Sequence, residues 1–362
     1  MSDIRVVGMG SSELGEIIGD EPVIALDTEF MREKTYFAQL CLVQVATRRA
    51  ICCADPLTGP PADSATWDKL LERTCVIHSA RQDLEVIYQA TRRFPARVFD
   101  TQIAAALLGY PPQMGYGNLV EELFDKRLDK SHTRADWSRR PLPEEQLAYA
   151  AEDVEFLLPA FDALGERLDR QGRLSWANED SADLLDSTLY ASDPAQAIDR
   201  LKGARNLRGA ARAAAVRLAA WREERAIAGN RPRQWIIRDA VLLEIATQQP
   251  ASKKSLARMS GLAERTLQRY GDTLLELVAK SATDDVDYRP PARPNEAQKA
   301  ALKRMQQLVA ERAGELQLAA ELLAPKKELA AALAGNRDLR VLRGWRQDLL
   351  GADLLAILAD VD

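Results

Sequence analysis

The sequence predicts two fold classes in one chain, an α/β layered domain in front and all-α modules behind it. Three observations carry that reading. In the front part, short apolar or alternating runs interleave with helical stretches, the order expected of a layered α/β domain. After about Gln102 nearly every segment has helical spacing, and beyond Leu201 no convincing strand remains. Two polar joints interrupt the rear part, residues 176–194 and residues 284–295, the second with three prolines beside charges. A chain of 362 residues has room for two or three domains at roughly 100–200 residues each.

The elements follow in order. Residues 23–26 are a short apolar run closing on Asp27 and read as a strand. Residues 38–46 alternate loosely with a period of two. Residues 49–54 form a third strand, stopped by the turn signal Asp55-Pro56-Leu57-Thr58-Gly59. Residues 75–77 form a fourth, followed by a helix over 82–91. In the rear, residues 214–221, 240–246 and 301–310 space their apolar side chains as helices do. The expected division is an α/β domain over 1–195, a helical module over 205–284, a linker over 285–296 and a second helical module over 297–362.

Composition excludes several classes of function. Hydrophobic residues make up 46% and charged residues 28%, as in ordinary globular chains. No apolar run approaches the roughly 18 residues that span a bilayer. The start, MSDIRVVGMG, lacks a charged region followed by an apolar stretch, which argues against secretion and for the cytoplasm. Cys41, Cys52, Cys53 and Cys75 show no CxxC spacing and sit among apolar residues, so reduced core thiols are expected. His78 and His132 are the only histidines; no Cys/His cluster can form a zinc site, and no GxSxG elbow is present. Gly8-Met9-Gly10 opens like a dinucleotide fingerprint, but Glu13 stands where the third glycine belongs. Chemistry is left to carboxylates, phenols or hydroxyls.

The net charge of −5 argues weakly against a nucleic-acid partner, and its distribution argues the other way. Residues 201–285 hold 16 Lys+Arg against 9 Asp+Glu, and the rest of the chain 33 against 45. A basic module attached to an acidic one fits that asymmetry, with a solvated basic helix face as the plain alternative.

Four acids stand out by position. Asp27 and Glu29 lie at i and i+2 at a strand end, so the period of two puts both carboxylates on one face. Acids are poor strand formers, and a pair there asks for a functional reason. Asp83 follows the next buried strand near a helix start, and Asp153 lies four residues after Tyr149 on a helix, so one face presents a phenol and a carboxylate. Clustered carboxylates repel unless protonated or bridged by cations. Oxygen ligands without His or Cys suit Mg²⁺ or Mn²⁺, and two such ions about 4 Å apart can promote phosphodiester cleavage. A phenol is mostly protonated at pH of about 7, so Tyr149 is better cast as orienting a water than as a base. Asp100 reads as a helix cap, and Glu152 as solvent-facing.

The joint pattern resembles the ribonuclease D family, 3′→5′ exoribonucleases of the DEDD superfamily, in the branch that uses tyrosine. The matching segments are Leu26-Asp27-Thr28-Glu29-Phe30 continuing through Thr35–Gln44, His78 through Asp83-Leu84-Glu85-Val86, and Tyr149-Ala150-Ala151-Glu152-Asp153, with Phe99–Gln102, Leu128–Ser131 and Asp136-Trp137 between them. The sister branch has histidine five residues before the last aspartate; Ala148 stands there. The resemblance implies a ribonuclease H-like mixed-sheet exonuclease domain. It also implies that Asp27, Glu29, Asp83 and Asp153 hold two divalent cations, and that Tyr149 positions the attacking water. Its substrate would be RNA with a free 3′ end, tRNA precursors by resemblance, releasing 5′-mononucleotides. A DNA exonuclease with the same site is the alternative, and a non-catalytic RNA-binding scaffold a more distant one.

The helical tail resembles HRDC domains, of which the family commonly carries two. The first is marked by LAAWREER at 218–225, Asn230-Arg231-Pro232-Arg233 and Trp235–Asp239; the second by residues 322–329 and Leu342-Arg343-Gly344-Trp345-Arg346. Lys202, Arg205, Arg208, Arg212, Arg231 and Arg233 are the candidate phosphate contacts. Trp221, Trp235 and Trp345 are read as core. Arg134, Arg139 and Arg140, ahead of the third motif, either flank the substrate path or sit on a solvated loop.

Overall fold

The computed structural model describes residues 4–128, 135–281, 286, 288 and 294–361. The Asp129–Ser131 segment, His132, Arg134 and most of the expected linker lie outside the described residues. The chain divides into two compact units, one of Met1–Met31, Leu40–Tyr190 and Arg293–Asp362, the other of Arg32–Gln39 and Ala191–Ala292.

The first unit holds a six-stranded sheet of β1 (Arg5–Gly8), β2 (Val23–Met31), β3 (Gln39–Ala46), β4 (Ile51–Asp55), β5 (Thr74–Ile77) and β6 (Arg97–Asp100), in the order β1-β4-β3-β2-β5-β6. It is mixed: β3 and β4 are antiparallel, whereas β1 with β4, β2 with β5 and β5 with β6 are parallel. Ile24, Ala25 and Leu26 of β2, and Cys75, Val76 and Ile77 of β5, are fully buried. Continuous apolar runs of this kind belong to strands covered on both faces. The register pairs Ala25 with Val76 and Ile77 with Asp100, so β5 and β6 end together while β2 runs on beyond them to Met31. In open α/β sheets the carboxyl ends of parallel strands are the usual place for a site.

Eight helices belong to this layer: α1 (Ser12–Ile18), α2 (Ser64–Leu71), α3 (Arg81–Thr91), α4 (Thr101–Leu107), α5 (Tyr116–Phe124), α6 (Glu144–Glu155), α7 (Leu157–Arg170) and α8 (Leu174–Ala182). Ser11, Asp63 and Asp100 cap α1, α2 and α4 by accepting from free backbone N–H groups at the helix starts. Asp100 is the cap its sequence position suggests, and it does more: its other contacts are the N–H groups of Ser79 and Ala80, at 3.0 and 2.8 Å. All four cysteines are free and buried, as expected. Burial pushes the Cys41 thiol up to about 11 and the other three to about 12.

Several expectations need correction. Strands β1 and β6 were not anticipated; each has four residues and opens on arginine, too little for a period to show. Residues 176–194 are no connecting segment. Helix α8 fills the first part, Asp180 and Ser181 are buried, and Tyr190 packs in the core against α3; the acid Asp180, which looks like linker, is paired with buried Arg346. Others concern Trp235, the C-terminal helices and Glu152, below.

The second unit contains α9 (Gly209–Ala228), α10 (Arg233–Ile236), α11 (Asp239–Gln248), α12 (Lys253–Leu256) and α13 (Glu264–Lys280), packed about Leu218, Trp221, Leu242, Ile245, Leu256 and Leu274. Trp235 was expected in that core but is 61% exposed; Ile236 and Ile237 take the inward positions of this short stretch.

The last helices are α14 (Glu296–Leu316), α15 (Ala320–Leu323), α16 (Lys326–Leu333), α17 (Gly344–Arg346) and α18 (Ala352–Ala359). Instead of closing on themselves as the division at 297 suggests, they share one core with the α/β layer: Met305, Val309, Leu329, Trp345 and Leu354 cluster with Phe99, Leu107, Leu157 and Leu164.

Candidate active site

Strand β2 opens with an apolar run and then carries Asp27, Thr28 and Glu29. On α6 the acids Glu144 and Glu145 occupy the first turn, where the helix dipole favours them, and Ala150, Ala151 and Val154 form its buried face. Tyr149 and Asp153 lie one turn apart on the same helix. Together β2 and α6 bring carboxylate oxygens of Asp27, Glu29 and Asp153 within 4.8 Å of one another.

Asp83 is held differently. It lies in the first turn of α3, and its Oδ1 accepts from the backbone N–H of Thr28 at 3.1 Å and from the Thr28 hydroxyl at 2.6 Å. Motif reasoning passes over the role of Thr28 in holding Asp83: standing between the two acids of β2, it ties the second motif to the first. The structure thus groups three of the four expected carboxylates directly and ties the fourth to the strand between them.

The electrostatics follow from that crowding. Burial, then the charges of Asp83, Asp153 and Glu29, push the Asp27 carboxyl well above the ordinary range. Burial and the neighbouring acids raise Glu29 to about 8, and burial is the main reason Asp83 and Asp153 rise to about 7. The Tyr149 hydroxyl donates to Asp153 and opposes that rise. Four acids that resist ionisation together suit divalent cations bound by oxygen donors, and the donor set fits such ions.

A pH dependence of stability follows. In the unfolded chain these carboxyls lose their protons near pH of about 4; in the metal-free fold Glu29, Asp83 and Asp153 keep theirs to about 7 or 8. Between those limits the unfolded state binds fewer protons, so stability falls as pH rises. Metal-free protein is expected to melt at a lower temperature at pH of about 8 than at about 5 on this account, and added Mg²⁺ or Mn²⁺ to recover the loss at the higher pH. Thermal scans on chelated protein check both signs.

Around the site, His78 lies between the Thr101 hydroxyl at 2.8 Å and the Met114 carbonyl at 2.9 Å. Trp137 packs its ring 6.2 Å from that of Tyr149. Arg140 is engaged by Asp55 at 2.6 and 2.7 Å and by the Cys41 carbonyl at 2.6 Å, while Arg139 is exposed. Glu152 is half-buried rather than solvent-facing. Of the basic candidates, Lys202, Arg205, Arg208 and Arg231 are exposed. Arg212 is half-buried and donates to the Leu207 carbonyl. Arg233 is half-buried, its guanidinium bound to Glu223 and the Tyr36 hydroxyl.

A mixed sheet with clustered acids on a central strand fits a nuclease-type hydrolytic site, and comparison with known proteins agrees. The 3′-5′ exonuclease family matches residues 10–169, and the HRDC domain family matches residues 211–278. Ribonuclease D of Acidiphilium cryptum is 40% identical over 349 residues, covering 93% of this chain and 88% of that protein. Ribonuclease D of Pseudomonas paraeruginosa is 38% identical over 351 residues, covering 93% and 92%. The crystal structure of Escherichia coli RNase D, described as an exoribonuclease involved in structured RNA processing, superposes with a TM-score of 0.90 at 29% identity, covering 98% of this chain and 99% of that one. The chain belongs to the ribonuclease D family. It is a 3′-5′ exoribonuclease, a hydrolase whose type of exonuclease fold implies an activity dependent on divalent metal. Among the described residues, no helix is long and apolar enough to cross a membrane.

Proposed function

We propose that this enzyme trims the 3′ ends of structured RNA, tRNA precursors above all, releasing 5′-mononucleotides with the help of two divalent cations, Mg²⁺ or Mn²⁺, in the cytoplasm. The observation that carries the reading is the convergence of Asp27, Glu29 and Asp153 within 4.8 Å, with Asp83 tied to the same strand through Thr28. Those four carboxylates would hold the cations. Bound there, the cations supply charge stabilisation to the attacking and leaving oxygens of the phosphodiester.

The chain's own groups do the rest. The Tyr149 hydroxyl donates to Asp153, and its oxygen would offer lone pairs to the attacking water. Lys202, Arg205, Arg208 and Arg231 are exposed cations for the RNA backbone, which they grip without reading sequence. The helices after Asn295 are read as a second HRDC module on the strength of their helical pattern, although their core is shared with the α/β layer.

Tyr149→Phe removes only the hydroxyl. We expect the rate to fall by about 10²-fold, the lower end of what a positioned proton-handling group contributes, with cation binding retained. Single-turnover kinetics and a metal titration separate the two, and an unchanged rate removes Tyr149 from the mechanism. The function itself is tested by a time course on a 3′-extended tRNA precursor labelled at its 5′ end, with Mg²⁺, Mn²⁺ or EDTA, and a matched DNA. A metal-dependent ladder shortening from the 3′ end of the RNA supports the reading. Internal cuts, or preference for DNA, overturn it.

A further inference from the structure

Helix α6, which carries Tyr149 and Asp153, does not run on into α7 although only Phe156 separates them. Phe156 has φ of −100° and ψ of 2°, against about −63° and −42° in a regular helix. Pro159, the third residue of α7, has no N–H for the Glu155 carbonyl, which breaks the ladder at this place. The opening is filled from elsewhere in the same compact unit. The Tyr116 hydroxyl donates to the Glu152 carbonyl at 3.1 Å and accepts from the Phe156 N–H at 3.0 Å. In an unbroken helix those two groups, four residues apart, would bond each other. Asp153 stands between them in the chain, and a side chain inserted into the ladder is a known cause of a kink.

Tyr116 is itself fixed. It is half-buried at the start of α5, and the Met114 carbonyl just before it accepts from His78 Nε2 at 2.9 Å and Gln102 Nε2 at 3.0 Å. A carbonyl only accepts, so Nε2 of His78 carries the proton. Burial lowers the pKa of His78 and keeps the ring neutral, which leaves Nδ1 to accept from the Thr101 hydroxyl at 2.8 Å. The His78 ring lies 5.6 Å from that of Tyr116. Burial first, opposed by the Phe156 N–H, and then the charges of Asp153 and Asp27 hold the Tyr116 phenol well above its ordinary range, as befits a ring beside the acid cluster.

We propose that Tyr116 is a positioning residue for the exonuclease site: its hydroxyl fixes the last turn of α6, and with it the place of the Asp153 carboxylate against Asp27 and Glu29. The proposal rests on the reading of those three acids as cation ligands. Tyr116 acts through the backbone of α6, so the quantity it governs is cation affinity. Pro159 stops a regular helix from closing across Phe156, so the helix does not itself replace the bridge when the hydroxyl is removed. The turn that carries Asp153 then has a wider range of positions, and fewer of them suit a shared cation.

Tyr116→Phe removes the hydroxyl and keeps the ring. The test titrates Mn²⁺ into RNA-free protein, well below its melting temperature, and follows the free ion by its electron paramagnetic resonance signal. Kd for Mn²⁺ is expected to rise about tenfold, the lower end of what an outer partner of a metal ligand contributes. Tyr110→Phe is the control. Its hydroxyl, in the same stretch of chain, accepts from Arg167 at 2.9 Å, further along α7, and its loss should leave Kd at the wild-type value. A Kd for Tyr116→Phe within about twofold of wild type overturns the proposal alone, as does an equal rise in Tyr110→Phe. A wild type that takes up no Mn²⁺ would strike the reading of the acids as cation ligands, and the proposal with it.

Discussion

Asp27→Asn should abolish RNA shortening and at the same time make the metal-free protein more stable. The two effects have one cause. Asp27 lies among Glu29, Asp83 and Asp153, and burial with their charges makes its ionised form unfavourable in the empty fold. Asparagine has the same shape without the charge, so the repulsion goes and the melting temperature at pH of about 8 should rise. The cations lose a ligand, and with it the several kcal/mol of transition-state charge stabilisation they supply. At 1.36 kcal/mol per tenfold, that is a slowing of at least about 10³-fold. RNA binding, proposed to rest on exposed cations elsewhere, should be nearly intact. A loss of activity beside a gain in stability cannot be ascribed to unfolding, and this makes the variant more informative than Asp27→Ala. Turnover within about tenfold of wild type would refute the assignment of Asp27 as a metal ligand.

The visibility of this site in the sequence has a physical reason. Asp27 and Glu29 are acids on a strand, where propensity disfavours them, and the period of two puts them on one face without any knowledge of the fold. Tyr149 and Asp153 are likewise related by one helical turn. Such local relations survive in a string of letters. The bond from Thr28 to Asp83 does not, because 55 residues separate the partners and only the pairing of β2 with β5 brings them together. The same holds for Asp180, whose segment reads as polar connector because a lone acid gives no hint of its partner 166 residues away. Arg233 shows the converse: its position in a basic stretch suggests a free cation for phosphate, whereas Glu223 and Tyr36 already take its guanidinium. Trp235 was assigned to the core on residue type alone, and a large aromatic in a four-residue helix has no period to say which way it faces.

Arg346→Ala is expected to cost more stability than any exposed ion pair could. Arg346 is 1% exposed and Asp180 3%. The guanidinium meets both carboxylate oxygens, Nη2 to Oδ2 at 2.8 Å, while Nε and Nη2 donate to the Leu322 and Leu323 carbonyls at 2.8 to 3.2 Å. The Trp345 indole N–H donates to the same Asp180 at 3.0 Å, and its ring stacks on Trp176 at 4.4 Å. Through these bonds α17 grips α8 and joins the C-terminal helices to the α/β layer. Removing the cation leaves Asp180 buried, charged and without its chief partner, which breaks a buried pair at about 3–5 kcal/mol. The exposed pair of Arg48 with Asp162, at 2.7 Å and about half exposed on each side, is the control; Arg48→Ala should change stability by less than about 1 kcal/mol. Replacing both buried partners, Arg346→Met with Asp180→Leu, should recover most of the loss, because then no charge is stranded. Urea unfolding of the three variants orders them, and a cost for Arg346→Ala no larger than for Arg48→Ala would mean that this contact does not hold the C-terminal helices in place.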